Sequence, residues 1–181
     1  MGESTGRAGD KIGWNKLAGI VNFGLTKLRT TRIPVMVRKL QKADIDRVAD
    51  IWLDTNLKAH DFISAQYWKR NFELVKEMLL QAEVYVYESD QKIQGFIGLN
   101  NDYIEGIFVS DKMQSQGIGK ILLNDTKDKR NELRLNVYRK NTRAISFYQR
   151  EGFEIQSDGL DEATGEKDYV MAVSYTHLTL P

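Results

Sequence analysis

The stretch YIEGIFVSDKMQSQGIGKILL, residues 103–123, passes from a strand-forming run into a helical pattern through two glycines two positions apart. A glycine pair at a helix start leaves several backbone N–H groups pointing one way. It also places the positive end of the helix dipole there and has no Cβ to hold an anion off. The pattern reads as a phosphate cradle, and the competing reading is a tight strand-to-helix turn with no ligand. Spacing tests the known cradles. A Walker loop needs glycine five residues before Gly119 and Ser or Thr after Lys120, where Gln114 and Ile121 stand. The dinucleotide fingerprint needs a third glycine where Leu122 stands, together with a parallel βαβ unit that this chain does not offer. What remains is Gln114-x-x-Gly117-x-Gly119 behind Phe108-Val109.

Around this motif the hydrophobic period alternates between strand and helix. VMVRKLQ begins as a strand, and the next pattern puts Ile45, Val48, Ala49 and Trp52 on one helical face. A second helix is predicted from Ser64, a good N-cap, burying Trp68, Phe72, Val75 and Leu79. EVYVYES and KIQGFIGLN, separated by Asp90-Gln91, read as a hairpin, and YIEGIFV is a third run of that kind. LRLNVY, a helix from about Asn141 to Arg150, GFEIQ and DYVMA complete an α+β pattern on a mostly antiparallel sheet.

Composition sets the outer bounds. The chain has 181 residues and no cysteine, which excludes disulfides, thiolate metal sites and a cysteine nucleophile. No apolar run approaches the roughly 18 residues of a membrane span, and no secretory signal is legible. A cytoplasmic location is expected, with no membrane partner. The net charge of +1 is uneven. Residues 1–35 carry six basic and two acidic side chains, which leaves 20 against 23 in the rest. So mildly acidic a body is not built to grip nucleic acid.

Both ends read differently from the body. In residues 1–35, Trp14, Leu17, Ala18, Val21, Leu25 and Leu28 recur at helical spacing beside Lys11, Lys16, Lys27 and Arg29. That stretch is either a basic amphipathic helix or an extension translated ahead of an initiating Met36. VSYTHLTLP, residues 173–181, resembles a translated sequencing-library adapter, so no role is expected for His177. Residues 36–172 are thus expected to form one domain, with His60 as its only histidine.

At Gln114-x-x-Gly117-x-Gly119 the chain resembles the GNAT superfamily of acetyl-CoA-dependent N-acetyltransferases. YRKNTRAISFYQREGF, residues 138–153, is similar to that family's second signature, with Asn141, Ala144, Phe147, Tyr148, Gly152 and Phe153 at matching places. GFIGL resembles its third strand. AHDFISAQYW, residues 59–68, resembles a bacterial subgroup with His-x-Phe-Ile between its first two helices, some of whose members acetylate lysine side chains.

The resemblance implies a mostly antiparallel central sheet flanked by about four helices, with a splayed strand pair holding acetyl-CoA. It implies that the main chain of Ile107, Phe108 and Val109 meets pantetheine. The N–H groups of Gln116, Gly117, Ile118, Gly119 and Lys120 would meet the pyrophosphate, with Gln114 closing one side. Ser115 and Gln116 are neutral where the family often has a cation, a charge that Lys120 is expected to restore. No metal is implied.

Tyr148 is the implied general acid, against the plainer reading of a core tyrosine. Its reference pKa of about 10 keeps it protonated beside a thiol of about 8.5. Asn141 either hydrogen-bonds the cofactor arm or caps the helix that it begins. Glu105 is the candidate base, on a strand face with Tyr103, Ile107 and Val109 unless a bulge at Gly106 redirects it. His60, Phe62 and Tyr103 are expected to line the acceptor entrance, with Trp68 either beside them or in the core, and the plainer reading of His60 is a helix-end residue satisfied by backbone. Asn136 stands where related sequences often carry an acid. The acceptor that the resemblance implies is a primary amine: a small molecule, a peptide N-terminus or a protein lysine. The alternative is an acyl-CoA-binding module without turnover, which has no need of Tyr148 or Glu105.

Overall fold

The computed structural model describes residues 36–175. The amphipathic pattern in residues 1–35 and His177 lie outside them. Seven strands form one sheet: β1 (Met36–Lys39), β2 (Glu83–Ser89), β3 (Lys92–Asn100), β4 (Tyr103–Val109), β5 (Glu132–Tyr138), β6 (Glu154–Asp161) and β7 (Glu166–Ser174). Their spatial order is β1-β2-β3-β4-β5-β7-β6, antiparallel except between β4 and β5. The five helices are α1 (Ile45–Ala59), α2 (Ala65–Arg70), α3 (Phe72–Gln81), α4 (Ile118–Lys127) and α5 (Thr142–Arg150). None of these helices is long and apolar enough to cross a membrane.

Local chemistry accounts for most boundaries. Asp90 and Gln91 both take positive φ, 52° and 59°, the geometry of a tight two-residue hairpin turn between β2 and β3. Ser64 accepts a bond from the Gln66 N–H and so caps α2. The helix expected to run on from Ser64 is broken at Asn71. There the Asn71 side chain donates to the Tyr67 carbonyl at 2.8 Å while its N–H turns to the Trp68 carbonyl. An asparagine competing for backbone in this way ends one helix and starts the next, so the described residues hold five α-helices where about four were expected. Strand β7 also runs past the expected boundary at Ala172, pairing Val173 and Ser174 with Leu133 and Glu132.

Two apolar clusters sandwich the sheet. One joins Ile107, Val109, Ile118, Leu122, Val137, Phe147 and Tyr148 on the side of α4 and α5. The other joins Val48, Trp52, Trp68, Val84, Phe96 and Phe108 on the side of α1 to α3. Trp52 and Trp68 meet edge to face at 5.9 Å, so Trp68 is core and not acceptor wall. Truncating either would cost about 3–5 kcal/mol.

Candidate active site

The seam between β4 and β5 closes at one residue pair only, Tyr103 with Arg134. β4 meanwhile keeps its register with β3 from Tyr103 to Val109. An antiparallel ladder on one edge uses alternate N–H and C=O groups and turns the others to the opposite edge. Beyond Tyr103 those groups face a strand that has diverged. This is the splayed pair expected from the sequence, and Ile107, Phe108 and Val109 lie along it. Gln114 donates to the Val109 carbonyl at 3.2 Å, tying the start of the glycine loop to the strand end.

The loop then enters α4 through Gly117, which takes φ 81° as the N-cap. A Cβ there would meet nothing within 4 Å, so the glycine is required by its left-handed backbone and not by crowding. The first bond of α4 to the cap residue comes from the Ile121 N–H, reaching the Gly117 carbonyl at 3.0 Å. As in any helix start, the N–H groups of Ile118, Gly119 and Lys120 have no carbonyl of an earlier turn to take them. The Lys120 side chain, expected to add positive charge here, approaches Glu151 instead, at 3.7 Å. Cations that the sequence reading passed over stand elsewhere: Lys58, paired with Asp111 at 2.7 Å, Lys140, paired with Glu166 at 2.9 Å, and Arg143 line a groove of about 290 Å³ together with Asp111, Gln114 and Asn141. They come from the end of α1 and the start of α5, segments distant from the motif in sequence, which is why the motif did not reveal them.

Tyr148 is fully buried among Phe147 and Phe153, with ring centroids 5.3 Å away on both sides. Its hydroxyl has no hydrogen-bond partner, and burial pushes its pKa above the ordinary phenol value. It shares the apolar cluster of Ile107, Val109 and Val137, residues of the two diverging strands. A buried hydroxyl with no hydrogen-bond partner requires an explanation. An open seam, a glycine-started helix and this hydroxyl together fit a thioester-bearing nucleotide.

Glu105 lies on the other face. The register of β3 and β4 slips between Gly98 and Leu99, so β4 carries one extra residue, and Ile104 and Ile107 join the same cluster although three apart. Gly98, between Ile97 and Leu99, faces the side of α1, and a Cβ on it would lie 3.6 Å from that of Glu105. The bulge at Gly106 therefore separates Glu105 from Ile107 and Val109, with which simple alternation had grouped it. Glu105 is buried on the α1 side.

His60 is 1% exposed, so it lies beneath the expected acceptor entrance and not on it. Its Nε2 lies 3.1 Å from the Asn141 amide nitrogen, which can only donate, and its Nδ1 lies 2.9 Å from Asn56 Oδ1. The proton therefore sits on Nδ1, and the imidazole is neutral. Burial pushes its pKa down to about 3. The chain of donors runs from the Ala144 N–H through Asn141, His60 and Asn56 to the Trp52 carbonyl, locking the start of α5 to α1. Asn141 is thus the cap of α5 and also reaches His60, while its edge lines the groove. Phe62 stays half-buried, edge-on to Tyr138 at 5.7 Å, with the Lys140 ammonium 5.2 Å over its ring. Tyr103 is half-buried, and its hydroxyl donates to Asn136 Oδ1 at 2.9 Å.

Known proteins share this architecture. Residues 81–155 match the family described as the acetyltransferase (GNAT) domain. A peptidyl-lysine N-acetyltransferase of Escherichia coli, YiaC, is 32% identical over 139 residues, spanning 76% of this chain and 95% of that one. The solved apo structure of E. coli YjaB superposes with TM-score 0.70 at 23% identity, covering 77% of this chain and 97% of its own. PaiA N-acetyltransferase of Thermoplasma acidophilum, solved with coenzyme A, superposes with TM-score 0.66 at 20% identity over 79% of this chain and all of that one. With the two ordered signatures, the parallel seam and the relatives in agreement, the chain belongs to the GNAT superfamily of N-acetyltransferases.

Proposed function

We propose that the protein transfers the acetyl group of acetyl-CoA to a primary amine by direct attack in a ternary complex. The observation that carries this reading is the single-pair seam between β4 and β5 with the partnerless Tyr148 hydroxyl in the cluster beside it. Bound acetyl-CoA supplies an activated thioester. The main chain of Ile107 to Val109 aligns it, and donors there oppose the charge that develops on the carbonyl oxygen. The N–H groups from Gln116 to Lys120 hold the pyrophosphate, and Lys58, Lys140 and Arg143 add the charge that the loop itself lacks.

Tyr148 keeps its proton at neutral pH and delivers it to the departing sulfur. Glu105, on the α1 side of the seam, takes the amine's proton directly or through water. Among acceptors, a lysine side chain is favoured by the names of the relatives. The experiment is the melting temperature of the full chain with and without acetyl-CoA. Ligand at about 100 times its Kd adds roughly 2.7 kcal/mol, a rise of several degrees. No rise at millimolar acetyl-CoA, in a chain that melts cooperatively, overturns the reading.

A further inference from the structure

The parting of β4 and β5 is abrupt, and the groups at its closed end account for it. The one pair there is Tyr103 with Arg134, and the Arg134 N–H donates to the Asp102 carbonyl at 3.0 Å. In a parallel ladder, alternate residues of a strand turn their N–H groups to the same edge. The next N–H that β5 turns to β4 is therefore that of Asn136, and its acceptor in a continued ladder would be the Ile104 carbonyl. It goes elsewhere. The Asn136 N–H donates to the Tyr103 hydroxyl oxygen at 3.0 Å. A side-chain oxygen from β4 thus takes the place of the rung that would have drawn the strands together.

That oxygen is held in place by a second bond. The Tyr103 hydroxyl gives its own proton to Asn136 Oδ1 at 2.9 Å, which leaves a lone pair for the N–H. The Asn136 amide is oriented in turn by Asp168, whose Oδ2 accepts from the amide nitrogen at 3.0 Å and so turns Oδ1 toward the tyrosine. Tyr103 therefore reaches from the closing pair two residues along β5, toward the open end of the seam. On its other edge β5 pairs with β7 straight through this position, Asn136 with Val170, so the departure is confined to the β4 side.

A half-buried backbone N–H released from a ladder needs another acceptor, and without one it favours pairing with the nearest strand again. We propose that Tyr103 is a positioning residue for acetyl-CoA: its hydroxyl replaces the second rung between β4 and β5 and so sets where the seam opens for the thioester arm. The role needs no contact between Tyr103 and either substrate, and it differs from lining the acceptor entrance. It rests on the acetyl-transfer reading, in which Ile107 to Val109 meet that arm.

The test compares the full chain with Tyr103→Phe, which keeps the ring and removes the oxygen. Amide hydrogen exchange at residue 136 is measured in the free protein, and coenzyme A is titrated calorimetrically. Without the hydroxyl the Asn136 N–H should pass to the Ile104 carbonyl, so its exchange should slow several-fold. A seam no longer held open in advance should bind coenzyme A about fivefold more weakly, and acetyl transfer should lose more through the KM for acetyl-CoA than through kcat. Unchanged or faster exchange, or an unchanged affinity, overturns the proposal. Arg134→Ala, which removes the exposed ion pair with Asp102 at the same vertex, should change neither reading. An equal loss of affinity there would mean that any loosening of the vertex suffices, and would overturn it too. Melting curves establish that each variant folds. If Tyr103→Phe does not, the same readings on Asn136→Ala, which lacks the oxygen that orients the hydroxyl, decide. A wild type that does not bind coenzyme A overturns the acetyl-transfer reading, while the exchange measurement, which needs no ligand, still decides whether the hydroxyl keeps the strands apart.

Discussion

Strand β5 has two edges with opposite characters. Along β7 it is paired at every residue from Glu132 to Tyr138, whereas along β4 a single pair joins it. The buried phenols beside these seams repeat the contrast. Tyr138, at the end of β5 toward β7, gives its hydroxyl to Asp161, while Tyr148, in the cluster beside the open seam, gives its hydroxyl to nothing. Both rings are core by burial. A seam whose backbone ladder is complete is scaffold, and one whose backbone groups are left over at the same depth is shaped for something else to complete.

The comparison breaks most sharply under Tyr148→Phe. Removing a partnerless hydroxyl should leave the melting temperature unchanged or slightly higher. The kcat for acetyl transfer should nevertheless fall about a hundredfold, or roughly 2.7 kcal/mol in barrier. Steady-state rates at saturating acetyl-CoA decide it, and an unchanged kcat would remove Tyr148 from the chemistry. Tyr138→Phe is the opposite case. It removes a hydrogen bond to the buried Asp161 carboxylate, so denaturant unfolding should show a loss of about 2 kcal/mol, with acetyl transfer by the folded fraction retained. A variant with wild-type stability but no activity would reverse the assignment of the two tyrosines.

The His60 chain joins α1 to the start of α5 and so spans the groove at the mouth of the open seam. The folded pKa of His60, about 3, lies below its unfolded value of about 6.5. Between those values the unfolded chain holds a proton that the folded one refuses. The corresponding stability is complete above pH 6.5 and is lost as pH falls toward 3. From pH 7 to pH 5 the loss amounts to about 2 kcal/mol. Urea unfolding at the two pH values should show this loss in the wild type. The same pair of measurements on His60→Gln should lack it, and an equal drop in both would mean that His60 is not the titrating group.

Much of the site could be read in advance where the signal was local. Gly117 needs its left-handed backbone whatever packs around it, Asn141 caps a helix that begins one residue later, and Ser64 does the same for α2. Reading failed where a side chain's direction or partner depended on another strand. Alternation along β4 grouped Glu105 with Ile107, and the slip opposite Gly98 undid that grouping. His60 was open to two readings, one at the acceptor entrance and one as a satisfied helix-end residue, and only the contacts of its ring with Asn56 and Asn141 inside the core favour the second.

The sequence by itself determined the α+β class, the strand and helix sites, the glycine-started α4 and the family, because these follow from periodicity, backbone preference and motif spacing within short windows. Only the tertiary structure decided that the β4–β5 seam closes at Tyr103 and Arg134, that Glu105 crosses the sheet and that His60 is sealed in a neutral chain. Each of those depends on which distant group a side chain or strand edge meets. Hydrogen bonds and charges act over a few ångströms in space, and only folding decides which residues come that close.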